Sequence, residues 1–148
     1  MIKIQIPATS ANLGAGFDAL GLALTYYNYI EMEECDRIDI TAADGLDIPT
    51  DERNLIYISA KDLFAVCGKK LEGLKLIQTS NIPMARGLGS SSACIIAGLV
   101  GANKMLGDPL TKDDLVDLAA QIEGHPDNTA PALLGGIVTA VFDGRKVH

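Results

Sequence analysis

"IPMARGLGSSSA", Ile82 to Ala93, is the stretch on which the fold turns. Two glycines and three serines open directly into an apolar run, Cys94 to Val100. Clusters of small polar residues make loops, and long apolar runs make buried elements. A helix is expected from about Ser90 to Leu106, apolar on most sides through Ile95, Ile96, Leu99, Val100 and Met105, which is the pattern of a fully buried helix. The first turn of such a helix carries unpaired N–H groups and the positive end of the helix dipole. Gly87 and Gly89 would let an anion approach the backbone, and Ser90, Ser91 and Ser92 offer hydroxyls to phosphate oxygens or to Mg²⁺. The same residues would serve equally to cap a helix and nothing more, and on physics alone the two readings weigh the same. No lysine follows the second glycine, so this is not the GxxxxGK[ST] phosphate loop, and it is not GxGxxG.

Upstream, "MIKIQIP" alternates Ile2, Ile4 and Ile6 with Lys3 and Gln5 and predicts a strand with one buried face, stopped by Pro7. "ATSANLGAGFDALGLAL" reads as a long loop of small residues with a helical turn. "TYYNYIEMEE" and "RIDITAAD" predict a second and a third strand. From Thr50 the period changes: Leu55, Ile58, Leu63 and Val66 predict one face of a helix that Gly68 stops. "LEGLKLIQTSNIP" predicts a strand ending at Pro83.

Downstream, "TKDDLVDLAAQIEG" predicts an amphipathic helix with a buried stripe of Leu115, Leu118, Ala119 and Ile122. Thr111 is placed to cap it, with Asp114 reaching back. "NTAPALLGG" predicts a short helix, and "GIVTAVFDGRKVH" a strand turning at Asp143-Gly144. Strands come early, helices late, without regular β-α-β alternation, so the expected class is α+β: a mixed sheet with helices packed on it. A chain stopping at His148 would leave that last strand half made, which predicts a piece of something longer.

The 148 residues suffice for one domain with its own core, and 48% apolar with 21% charged residues is a globular composition. A net charge of −7 argues against a nucleic-acid binder and against a surface drawn to anionic lipid. It leaves room for a small anionic ligand in a locally positive pocket. Cys35, Cys67 and Cys94 form no CxxC pair and are odd in number, which predicts a reduced, cytoplasmic protein with buried thiols. No run approaches the roughly 18 apolar residues of a membrane span.

The whole string is more specific than its physics. Ile82, Pro83, Met84, Ala85, Arg86, Gly87, Leu88, Gly89, Ser90, Ser91, Ser92 and Ala93 resemble, position by position, the glycine-serine motif of the GHMP kinases. "PATSANLGAGFDALGLAL", Pro7 to Leu24, and "EGHPDNTAPALLGG", Glu123 to Gly136, are similar to the homoserine-phosphorylating branch of that family. Many other members carry Pro-Gly-Lys where this chain has Pro7-Ala8-Thr9. The likeness runs in order over essentially the whole chain. The family's C-terminal glycine-rich motif and the second-half arginines that help hold the amino-acid substrate are not in this sequence.

The resemblance implies that residues 1–148 are the N-terminal, ATP-binding half of a two-lobed kinase, without its C-terminal domain. It implies ATP and Mg²⁺ as cofactors and transfer of phosphate to the side-chain hydroxyl of L-homoserine, a step toward threonine. It places Pro83 to Ala93 on the nucleotide phosphates and Asn54 near base and ribose, although an asparagine ahead of an apolar helix is also a common cap. It makes Ser91 and Glu123 the Mg²⁺ ligands. It puts Thr9, Asn12, Asp18, His125 and Asn128 on the substrate side, with Asp18 a natural partner for the ammonium group. Asp127 has the chemistry of a general base, but the resemblance points instead to placing the hydroxyl in line with the γ-phosphate. A homodimer is compatible with it; nucleic acid and membrane are not expected partners. Two other readings stay open: a kinase for another small alcohol, and a non-catalytic nucleotide-binding domain. For these residues alone, weak nucleotide binding and no turnover are expected.

Overall fold

The computed structural model describes residues 1–148, the side chain of Asp44 excepted. Five strands and four helices follow one another as β1 (Ile2–Ala11), β2 (Leu20–Glu34), β3 (Ile38–Ala42), α1 (Leu55–Val66), β4 (Leu74–Ser80), α2 (Ser90–Met105), α3 (Lys112–Glu123), α4 (Thr129–Leu134) and β5 (Ile137–Thr139), with one 3-10 turn at Ala43–Gly45. The strands make one sheet in the order β1-β2-β4-β3, and β5 pairs with the start of β2. Every pairing is antiparallel except β3 with β4, which are joined through α1. This is the expected mixed sheet of an α+β domain.

The sheet obeys the two-residue period. Ile4, Ile6, Ile30, Met32, Leu74 and Leu76 are buried, while Lys3, Gln5 and Tyr29 point to solvent. The helices cover the apolar face. α2 lies at the centre, in contact with β1, β2, α1, α3 and α4. Its residues Ala93, Ile95, Ile96, Ala97, Leu99 and Ala102 are buried, as expected for a helix apolar on most sides. It touches α1 closely: a methyl group on Gly98 would stand 2.4 Å from the Ile56 carbonyl oxygen.

Several sequence expectations change. β1 does not stop at Pro7; it continues to Ala11 through a register irregularity between Pro7 and Thr9. Pro7 has no N–H to give a ladder, and β1 is an edge strand, where proline is tolerated. β2 begins at Leu20, so with the end of β1 about half of the expected loop is strand. On α1 the buried face is Ile56, Tyr57, Ser59, Ala60, Leu63 and Phe64, while Ile58 and Val66 are exposed. α3 carries the full Thr111–Asp114 capping box, but its buried stripe is Leu115, Val116, Ala119 and Ala120, with Leu118 and Ile122 half-buried. The turn at Asp143-Gly144 closes through a Phe142–Val147 bridge, whereas β5 pairs with β2. The three cysteines are free and half-buried. No helix among the described residues is long and apolar enough to cross a membrane.

Candidate active site

The glycine-serine loop leaves β4 at Asn81 and enters α2 at Ser90. Ala85, Gly87 and Gly89 take φ of +55°, +69° and +64°, alternating with Arg86 and Leu88, which do not. Alternation of this kind turns successive N–H groups into one concavity. Among the described residues, the N–H groups of residues 87 to 92 find no hydrogen-bond acceptor. The first that does is Ala93, which donates to the Gly89 carbonyl at 2.9 Å. A row of free donors thus ends at a helix N-terminus, where the dipole adds positive potential. Ala85 is not a glycine, so its left-handed backbone stores strain of the sort that gathers at working sites.

Two tethers hold the loop. The Thr9 N–H donates to the Leu88 carbonyl at 3.1 Å, anchoring it to the irregular end of β1. Thr9 Oγ1 donates to Asn128 Oδ1 at 2.8 Å, tying β1 to the segment before α4. Gly89 sits against this pair: a methyl group there would stand 2.1 Å from Thr9 Oγ1 and 3.2 Å from Asn128 Oδ1. The three segments singled out in the sequence therefore meet at one point.

Glu123, in the last turn of α3, lies across the mouth of α2. Ser91 Oγ donates to its carboxylate oxygens at 3.4 and 3.3 Å, and Ser92 Oγ to Oε1 at 3.3 Å. A glutamate at a helix C-terminus opposes its own dipole; here the N-terminus of α2 compensates. Ser92 is buried, and Ser91 exposed. One carboxylate with neighbouring hydroxyls is a donor set that suits Mg²⁺, which takes few protein oxygens and completes its shell with water and phosphate.

A cavity of about 290 Å³ opens beside the loop. Leu46, Ile48, Pro49, Leu55 and Met84 give it apolar walls, and Asn54, Gln78, Ser80, Ala85, Ser90, Ser91 and Cys94 complete them. Asn54 caps α1: its Oδ1 accepts from the Ile56 and Tyr57 N–H groups at 2.9 and 3.4 Å, and its Nδ2 donates to the Pro49 carbonyl at 2.9 Å. Its side chain shapes the cavity wall while holding the helix. Burial pushes the Cys94 thiol above its ordinary pKa, partly offset by amide donors from Gln78 and Asn28.

A second cleft of about 310 Å³ brings Asp18 and His125 together, with Phe17, Pro126, Val141 and Phe142 also in its lining. Asn12 does not line it. Its Oδ1 accepts from the Asp18 N–H at 2.9 Å, and both residues are left-handed, so Asn12 sets the loop that presents Asp18. The buried Asp127 carboxylate engages His125 Nδ1 through Oδ1, fixing the half-exposed ring. Sequence reasoning missed Gln78. A polar residue on the buried face of a strand was the available signal.

A loop of free N–H donors thus runs from a strand into a buried helix, closed by a glutamate and set beside an apolar cavity, in an α+β domain with a mixed sheet. The chain belongs to the GHMP kinases: residues 54–136 match the N-terminal domain of that family. It is 50% identical to the homoserine kinase of Carboxydothermus hydrogenoformans, over 99% of this chain and 49% of that protein. To the homoserine kinase of Caldicellulosiruptor bescii it is 45% identical, over 100% and 49%. The crystal structure of homoserine kinase from Cytophaga hutchinsonii superposes with a TM-score of 0.82 at 32% identity, covering 99% of this chain and 50% of that one. Mevalonate kinase from Methanococcus jannaschii shares the fold, with a TM-score of 0.74 at 18% identity over 99% of this chain and 55% of that one. The chain thus spans about half the length of the curated relatives it matches.

Proposed function

We propose that these residues form the nucleotide-binding half of an ATP-dependent kinase acting on L-homoserine. The observation that carries the reading is the row of acceptor-free N–H groups from residue 87 to 92, running into the N-terminus of α2 beside an apolar cavity. The cavity is of a size and character for base and ribose, and Pro83 to Ala93 receive the phosphates. Ser91 and Glu123 would hold Mg²⁺, which supplies charge neutralisation at the β- and γ-phosphates when bound. Ser90 and Ser92 flank them.

The second cleft takes the acceptor. Asp18 offers a carboxylate to the ammonium group, and His125 a ring nitrogen to a polar atom of the substrate. Thr9 and Asn128, on the substrate side in this reading, tie β1 to the segment before α4 through their mutual hydrogen bond. Asp127 is a positioning residue: its buried carboxylate orients His125 through Oδ1. Transfer then rests on placing the hydroxyl in line with the γ-phosphate, with the α2 N-terminus meeting the charge that develops.

In the full-length kinase, Asp127→Asn should keep kcat within about tenfold of wild type, the scale of a positioning effect. A loss of about a thousandfold would refute the positioning role. Residues 1–148 alone should bind ATP weakly and turn nothing over; homoserine-dependent ADP release by them would refute that. Coupled-assay turnover on a panel of small alcohols tests the substrate, with L-homoserine expected to lead.

A further inference from the structure

Gln78 lies on the buried face of β4 and is 4% exposed, yet it lines the apolar cavity next to the glycine-serine loop. Its amide is half engaged. Nε2 donates to Asn28 Oδ1 at 3.5 Å and to Cys94 Sγ at 3.7 Å. Asn28 Nδ2 in turn donates to the same sulfur at 3.5 Å. Each neighbour therefore receives the amino end of the amide. Among the described residues nothing donates to Gln78 Oε1. That oxygen is not sealed off either: the one side-chain polar atom fully buried without a partner is Thr129 Oγ1. A buried amide with its NH₂ turned into the protein leaves its carbonyl oxygen as the end without a protein partner, on a residue that lines the cavity.

We propose that Gln78 selects the base of the nucleotide, favouring a purine that carries an exocyclic amino group at position 6. The proposal rests on the reading of this cavity as the base site. A free acceptor in an apolar pocket needs a donor, and leaving it unpaired on ligand binding is penalised. The 6-amino group of adenine supplies that donor, whereas guanine presents O6, an acceptor, at the same edge. Rotating the Gln78 amide alone to suit guanine would point Oε1 at Asn28 Oδ1 and lose both existing donations, so the preference rests on Gln78 and Asn28 holding their orientations together. Asn54, the other nearly buried amide of the cavity wall, has both ends of its side chain occupied and cannot play this part.

The test is equilibrium binding of ATP, GTP and N6,N6-dimethyl-ATP to the full-length kinase, with wild type, Gln78→Met and Ile48→Arg. Wild type should bind ATP at least about tenfold more tightly than either analogue, the scale of one discriminating base contact. In Gln78→Met the ATP-to-GTP ratio should fall to within about threefold. Equal wild-type affinity for ATP and dimethyl-ATP overturns the proposal without any variant, as does a Gln78→Met protein that keeps the wild-type ratio. Ile48→Arg, which places a long cation in the cavity wall, should abolish binding of all three. Undiminished ATP binding by Ile48→Arg, or no ATP binding by wild type, overturns the cavity reading itself and the proposal with it.

Discussion

Gly89→Ala probes the point where the three segments meet. The new methyl group would stand 2.1 Å from Thr9 Oγ1, and the residue would have to keep φ near +64°. An alanine in the left-handed region costs roughly 1 kcal/mol or somewhat more. To make room, the Thr9 hydroxyl must swing away from Asn128. That breaks a part-buried hydrogen bond and leaves the buried Thr9 hydroxyl unsatisfied, at about 1–3 kcal/mol. The sum is about 2–4 kcal/mol, or a fall in Tm of roughly 6–12 °C for a chain of this size. Thr9→Ala removes the obstructing oxygen and breaks the same hydrogen bond by itself. In that background Gly89→Ala should cost only the backbone share, about 1 kcal/mol. Urea unfolding of the four proteins in the cycle reads the coupling, expected at about 1–3 kcal/mol. Additive costs, within about 0.5 kcal/mol, would refute the contact between Gly89 and the Thr9–Asn128 pair.

Arg53 donates to the Asp51 carboxylate from Nε, Nη2 and its own N–H at 2.7–3.1 Å and holds the Asp51 pKa down to about 2. A carboxyl whose pKa falls on folding stabilises the fold above its unfolded value of 3.8 and loses that contribution as the pH drops through the folded value. The Asp51 share should therefore vanish between about pH 4 and pH 2. A carboxyl-carbon NMR titration should show the midpoint rising in Arg53→Gln, and an unmoved midpoint would exclude Arg53 as the cause. Asn54→Ala removes the cap of α1 and should cost about 1–2 kcal/mol in urea unfolding, whether or not nucleotide is present. Arg86 is the one cation of the glycine-serine loop and has no ion-pair partner among the described residues. Arg86→Gln should weaken ATP binding several-fold at low salt, with the difference closing at about 1 M salt, where exposed charges are screened within about 3 Å. A salt-independent loss would point to a change in loop shape instead.

What was legible in the sequence was local. The capping box at Thr111 and Asp114 lies within one turn, so three residues of spacing were enough to read it. The glycine-serine string likewise carries its own signal, because its backbone conformation depends on residues two or three apart. The α1 face was misread because Ile58 and Val66 looked as apolar as Ile56 and Phe64; which side of that helix is buried depends on α2, far along the chain. Pro7 looked like a stop because its tolerance on an edge strand depends on which strands pair.

The site shows the same division more sharply. Thr9 and Asn128 are 119 residues apart, and Ser91 and Glu123 are 32 apart. Each could be nominated from its own segment, but only β1, α2 and the α3–α4 connection packing together show that they touch. Gln78 marks where local reading fails altogether. In "LKLIQTS" it takes the place of an inward apolar residue, and nothing within the strand says why a buried amide should be there. Its meaning comes from Asn28 on the neighbouring strand and Cys94 on α2, which receive one end of the amide and leave the other to the cavity. A buried polar residue that breaks a strand's pattern is thus a reason to look for a ligand, and the orientation imposed by its neighbours says which atom that ligand would meet.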